Sequence, residues 1–244
     1  MAFCELRHFS AALGKNTSTN VILPDPSIPG PYHVMVLLHG LSDDHTIWSR
    51  RTSIERYAEG LPLIVAMPNG DRGFYCDAVE GFDYGKAAGE ELPSVIRHYF
   101  PTQEKMCVTG LSMGGYGALR LALAYPETFV SAVSHSGATQ FGSANLADWE
   151  EEVPPEYVRI LGQTPKNGPC DLYHLAKSAR PLPHLRIDCG VDDFLIGQNR
   201  HFHAFLKAEN IPHEYEEFPG DHNWAYWDLH VQEALAFHRR NLGF

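Results

Sequence analysis

Ser112 lies in the run Gly110-Leu111-Ser112-Met113-Gly114-Gly115-Tyr116-Gly117, the stretch of this 244-residue chain where residue types and spacing point most directly to chemistry. A serine hydroxyl is a weak nucleophile until an imidazole takes its proton, and that imidazole needs a carboxylate to hold its tautomer and steady its charged form. The apolar run Lys105-Met106-Cys107-Val108-Thr109 comes before it and the helix-forming run 118–124 comes after, so Ser112 is predicted to sit at the tip of a strand-to-helix turn. A turn that sharp strains the serine backbone and demands small residues two positions before and two after, which Gly110 and Gly114 supply. A glycine-rich turn with no chemistry is the plain alternative. Only suitable partners elsewhere in the chain separate the two readings.

Those partners are present. His222 stands in Gly220-Asp221-His222-Asn223-Trp224, a turn after the last predicted strand, and it is the one among 14 histidines in that position. Two adjacent carboxylates, Asp192 and Asp193, compete for the acid in Gly190-Val191-Asp192-Asp193-Phe194-Leu195, while Asp188 falls inside a predicted strand and is a poorer choice. The chain order serine, acid, histidine is that of α/β hydrolases. A third apolar strand ends at His39-Gly40-Leu41-Ser42-Asp43-Asp44, which can offer the backbone N–H of Leu41 as one oxyanion donor, with Met113 N–H as the other. His39 is read as structural, because the base in this arrangement comes late in the chain. Metal chemistry has little support: His201 and His203 lie two apart on a predicted helix and face different ways, and no His-Glu-x-x-His run exists.

The elements that must position these residues alternate along the chain. Strands are predicted at Phe3 to Phe9, Asn20 to Leu23, Tyr32 to Leu38 and Leu63 to Ala66, with others at the elbow, Phe129 to Ser134, Leu185 to Cys189 and His213 to Phe218. Helices are predicted at Ile47 to Tyr57, Tyr84 to Tyr99, after the elbow, at Gln198 to Glu209, and from Trp224 to about Asn241. The first strands alternate and the third is nearly all apolar, so antiparallel edge strands should feed a buried, mostly parallel sheet covered on both faces. The expected organisation is one α/β domain over 1–244. Residues 138–180 show no clean period and carry several prolines; they are read as a cap or lid, with Glu150, Glu151 and Glu152 a solvated face. The loop Gly73-Phe74-Tyr75-Cys76-Asp77 is read as an aromatic pocket wall.

Composition narrows the class. A formal charge of -11, from 30 acidic and 19 basic residues, sets most of the surface against a phosphate backbone, so no nucleic-acid partner is expected. No apolar run reaches the roughly 20 residues of a membrane span, and the first residues lack a basic region followed by an apolar core, so a cytoplasmic protein is expected. Five scattered cysteines suggest free thiols in a reducing compartment, with Cys107 and Cys189 acting as small buried hydrophobes. A homo-oligomer is left open.

With these residues in place, the chain resembles the esterase D family of α/β hydrolases, which includes S-formylglutathione hydrolases and tributyrin-type carboxylesterases. The likeness runs over nearly the whole chain, through His39-Gly40-Leu41, Gly73-Phe74-Tyr75, the elbow from Gly110 to Leu119, Gly190 to Leu195 and Gly220 to Trp224. It implies Ser112 as nucleophile, Asp193 as acid, His222 as base, Leu41 and Met113 as oxyanion donors, and no cofactor. The formylglutathione enzymes typically carry a cysteine where Asp43 stands, and more often histidines where Leu111 and Tyr116 stand. Those differences move the expectation toward a serine carboxylesterase acting on short acyl esters through an acyl-enzyme. The alternatives on the same residues are S-formylglutathione hydrolase, acyltransferase and carbohydrate-ester esterase; outside enzymology, a silent hydrolase used as a binding protein.

Overall fold

Aliphatic and β-branched runs build the frame. In the computed structural model, which describes residues 1–149 and 152–244, eight strands form one sheet: β1 Ala2–Ser10, β2 Lys15–Leu23, β3 His33–Leu38, β4 Leu63–Pro68, β5 Met106–Leu111, β6 Phe129–His135, β7 His184–Gly190 and β8 Glu214–Phe218. Their spatial order is β1-β2-β4-β3-β5-β6-β7-β8. The β1/β2 and β2/β4 pairs are antiparallel and the remaining pairs are parallel, so the antiparallel hairpin does feed a parallel sheet. This is the α/β-hydrolase fold expected from the sequence.

The apolar strands bury both faces, which explains their lack of alternation. Val34, Val36 and Leu38 of β3 enter the core on one face while Met35 and Leu37 enter the core on the other. Helices α1 Ile47–Arg51, α2 Ile54–Ala58, α3 Tyr84–Lys86, α4 Leu92–Tyr99, α5 Met113–Ala124, α6 Pro155–Leu161, α7 Leu172–Ser178, α8 Ile196–Ala208 and α9 Trp224–Leu242 connect the strands. Residues of α4, α5, α7 and α8 share the first core, and residues of α1, α2 and α9 share the second.

Two helices differ from their sequence pattern for local reasons. The stretch 47–57 divides into α1 and α2, because the Thr52 hydroxyl donates back to Trp48 O (2.6 Å) and Ser53 N–H leaves the helix to donate to Asp228 Oδ1 (2.8 Å). The stretch 84–99 carries a π turn at Ala87–Glu91 between α3 and α4. Pro93 has no N–H for the ordinary helical bond to Gly89, and Leu92 N–H bonds instead to Ala87 O, five residues back.

Under α9, His238 is fully buried between the Thr109 hydroxyl of β5 (Nε2, 2.7 Å) and the Ser131 hydroxyl of β6 (Nδ1, 2.8 Å). Burial, aided by His135, pushes its pKa down to about 3. The unfolded chain binds that proton near the ordinary value of 6.5 while the folded one refuses it. His238 therefore favours the native state above 6.5, and this contribution is lost as the pH falls toward 3, by about 1.4 kcal/mol per unit. The slope of unfolding free energy against pH between 6 and 4 is expected to be shallower by about that amount in His238→Gln, measured by urea denaturation. Equal slopes would contradict it.

Candidate active site

Strands β3, β5, β6, β7 and β8 are neighbours and parallel, so their carboxyl ends open on one edge of the sheet. Each delivers one piece of the site there. Beyond β5, Ser112 occupies φ 54° and ψ −117°, a left-handed conformation that non-glycine residues seldom adopt. Hydrogen bonds hold it: Ser112 N–H donates to His135 O at the end of β6 (2.9 Å), and Ser112 O accepts from Ala138 N–H (3.2 Å). The glycines are forced by crowding. A Cβ on Gly110 would lie 2.2 Å from Gly114 O, and one on Gly114 would lie 2.5 Å from Leu38 O.

Asp193 and His222 arrive from the loops after β7 and β8. His222 Nε2 lies 3.0 Å from Ser112 Oγ, and His222 Nδ1 lies 2.8 Å from Asp193 Oδ2. Asp193 is buried, and burial pushes its carboxyl up; its bonds to His222 and to Leu195 N–H (2.8 Å), with the Ser136 hydroxyl nearby, outweigh that and hold it below the usual carboxylate range. An ionised carboxylate can only accept, so His222 Nδ1 carries the proton and Nε2 presents its lone pair to the serine hydroxyl. Asp192 is exposed, and its backbone N–H is bonded to Gly220 O (3.0 Å). Thus the structure brings Ser112, His222 and Asp193 together, and leaves Asp192 and Asp188 elsewhere. Asp188 is buried against His135 Nδ1 (2.9 Å) and the Tyr226 hydroxyl (3.1 Å).

The loop after β3 packs against the elbow. A Cβ placed on Gly40 would lie 2.8 Å from Leu111 Cδ1 and 3.8 Å from Ser112 Cβ. His39 is buried and structural in its contacts: Nε2 accepts from Gly70 N–H (2.8 Å) and Nδ1 donates to Gly40 O (2.7 Å). Trp48 Nε1–H donates to Leu38 O (3.0 Å), and Arg72 reaches Leu41 O (3.4 Å). The N–H groups of Leu41 and Met113 have no backbone or side-chain acceptor among the described residues, so both remain available at the serine.

A cleft of about 440 Å³ opens over Ser112, and among the described residues none of its lining side chains is charged. Leu41, Met113 and Phe194 flank the serine. Phe74 and Phe141 stack at 3.7 Å, Tyr157 meets both edge-on, and Trp149 lies beyond, so one wall is aromatic. Gln140, Ser143 and Gln198 supply the polar side. Half of the lining comes from 138–180, where α6 and α7 stand; Arg72 ties α6 to the body through Glu156 (Nε–Oε2, 2.9 Å). Glu152 is exposed, and Glu150 and Glu151 lie outside the described residues.

Some residues behave differently from their sequence reading. Leu111 and Tyr116 are buried and do not line the cleft; Leu111 backs the Gly40 loop, and Tyr116 lies edge-on behind Phe74 and Phe141 with its hydroxyl on Cys170 O (2.7 Å). Asp43 is outside the lining as well. Their contrast with the formylglutathione enzymes therefore reaches the cleft only from behind. Ser136 and Trp227 went unnoticed in the sequence. The Ser136 hydroxyl lies near Asp193 and accepts from Trp227 Nε1–H (3.4 Å), while Trp227 meets the His222 ring edge-on at 4.9 Å. His201 and His203 do diverge: His201 faces Gln140, and His203 pairs with His213.

A family model described as "Putative esterase" matches residues 10–238. The chain belongs to this esterase family. An acetyl esterase from Caldicellulosiruptor saccharolyticus is 30% identical over 97% of this chain and 98% of its own. Among solved structures, the substrate-bound fluorophosphonate-binding serine hydrolase F of Staphylococcus aureus superposes with a TM-score of 0.86, at 33% identity over 96% of this chain and 97% of its own. An S-formylglutathione hydrolase, FrmB, from Staphylococcus aureus gives a TM-score of 0.81, also at 33% identity over 96% of this chain and 97% of its own. The esterase is thus an enzyme of the serine hydrolase class. Among its described residues, no helix is long and apolar enough to cross a membrane.

Proposed function

We propose that this esterase hydrolyses neutral, short-chain acyl esters, with Ser112 as nucleophile, His222 as general base and acid, and Asp193 as the carboxylate that orients the imidazole. Ser112 Oγ attacks the ester carbonyl as His222 Nε2 takes its proton. The same proton passes to the departing alcohol, and water repeats the sequence on the acyl-enzyme to release the acid. Leu41 and Met113 N–H groups bind the oxyanion, each contributing about 3 kcal/mol in the transition state. The segment 138–180 serves as a cap that shields the acyl group from water. Five free cysteines are compatible with a reducing, cytoplasmic setting.

The observation that carries the substrate class is the uncharged cleft. The glutathione part of S-formylglutathione brings two carboxylates and one ammonium. Bound here, those groups would meet no ionic partner among the described lining residues, in a protein whose net charge is -11. The named relatives include both an acetyl esterase and an S-formylglutathione hydrolase, so this electrostatic difference favours the ester. Steady-state turnover of a nitrophenyl acetate or butyrate should exceed that of S-formylglutathione in kcat/KM by about 100-fold or more, a margin of about 3 kcal/mol. A preference for the thioester would reject the substrate class while leaving the catalytic assignment intact.

A further inference from the structure

Arg72 touches two parts of the site without lining the cleft. Its Nε and Nη2 fork onto the Glu156 carboxylate of α6 at 2.9 and 2.5 Å, and its Nη1 donates to Leu41 O at 3.4 Å. One planar guanidinium thus spans the segment 138–180 and the loop after β3.

The two peptides that flank Leu41 are held differently. The Gly40–Leu41 peptide, which carries the Leu41 N–H, has its carbonyl fixed by His39 Nδ1 (2.7 Å) and by Asp43 N–H (3.3 Å). The next peptide presents Leu41 O, and among the described residues Arg72 is its one donor. The root of Arg72 is rigid. Asp71 on one side accepts from Lys15 and Asn69 (2.7 Å each), while Gly73 on the other donates to Gly70 O (3.1 Å) and has no room for a Cβ against Tyr84. Glu156 lies in the first turn of α6, and the far end of that helix is tied by Val79 N–H to Ile160 O (3.1 Å) and by Glu80 N–H to Arg159 O (2.8 Å). The Arg72 guanidinium holds the Glu156 carboxyl below the usual carboxylate range, so both partners carry charge at neutral pH.

We propose that Arg72 is a positioning residue that couples the segment 138–180 to the oxyanion site: Glu156 fixes the fork, the fork holds Nη1 on Leu41 O, and the Leu41 N–H stays aimed at the oxygen that gains charge. This rests on the reading of Leu41 as an oxyanion donor. The Arg72 side chain is 52% exposed, so the pair adds little to stability. Its value is geometric, since a two-point fork fixes a direction that a point charge does not. Lysine at position 72 keeps the charge but not the three contacts. The same pair sets the aromatic wall, because Phe74, two residues past Arg72, meets Tyr157, one past Glu156, edge-on at 5.3 Å.

Arg72→Met, Arg72→Lys, Glu156→Ala and the double variant Arg72→Met/Glu156→Ala test this through ester turnover and through affinity for a trifluoromethyl ketone. Ser112 Oγ bonds to the ketone carbon, the carbonyl electron pair moves to oxygen, and the serine proton passes to His222, so the adduct displays the oxyanion itself. Both Arg72 variants should lower kcat about tenfold with KM within about twofold, and weaken the ketone by the same factor. Glu156→Ala should lose about threefold or more in both, and the double variant no more than Arg72→Met alone. A raised KM at unchanged kcat, ketone affinity that stays constant while kcat falls, or losses that simply multiply in the double variant would overturn the proposal. Tight ketone binding by the wild type and by all four variants would overturn it alone. A wild type that forms no adduct at Ser112 would overturn the catalytic reading beneath it as well.

Discussion

Replacing Ser112 by alanine is expected to lower kcat for a short acyl ester by about a millionfold, to a residue supported only by the oxyanion donors and substrate binding. The substitution removes the single oxygen that His222 Nε2 faces at 3.0 Å. The fold should survive it. The strained conformation at φ 54° is held by backbone bonds to His135 and Ala138, neither of which uses the hydroxyl, and alanine fits the same volume. Unchanged thermal unfolding alongside the lost turnover would assign the effect to chemistry. Turnover within tenfold of wild type would remove Ser112 from the mechanism.

The second large effect belongs to Asp193. Asparagine there keeps the shape but offers an amide N–H to His222 Nδ1, which then favours the tautomer with its proton on Nε2, facing Ser112. An imidazole in that form cannot accept the serine proton, and kcat should fall by about ten-thousandfold. Asp192→Asn, one residue away, alters an exposed side chain with no contact to the imidazole and should change kcat by less than about twofold. The two variants, assayed side by side, distinguish the neighbours directly. Equal losses, or a larger loss in Asp192→Asn, would contradict the geometry.

The adjacent aspartates show where sequence reading reaches its limit. Their residue type and loop position are the same, and without family likeness nothing in the chain separates them. In the fold, Asp192 N–H is held by Gly220 O and its side chain faces solvent, whereas Asp193 turns into the site beneath the imidazole. The elbow was far more legible. Steric demand at a tight turn selects glycine at 110 and 114, and that demand is local enough to survive in the sequence. The central strands were legible for a similar reason, since burial of both faces leaves a continuous apolar run such as Val34 to Leu38.

Long-range contacts left weaker traces. Ser136 meets Asp193 only because β6 and β7 are adjacent, and Trp227 reaches the imidazole from α9. Neither has a spacing signature relative to Ser112. The break between α1 and α2 depends on Asp228, distant in the chain, so the pattern over 47–57 looked like one helix. Leu111 and Tyr116 illustrate the converse. Their difference from the formylglutathione enzymes bore on the expected substrate, yet the strand and helix they belong to turn them into the core.

The central claim is that Ser112 is the activated nucleophile of this esterase. Its most direct test is covalent capture: incubation with a fluorophosphonate ester, followed by mass mapping of the modified peptide. One adduct on Ser112 is expected, formed rapidly in the wild type and slowed by several orders of magnitude in His222→Gln, which keeps the hydroxyl but loses the base. An adduct on any other residue, or equal labelling rates in both proteins, would contradict the account.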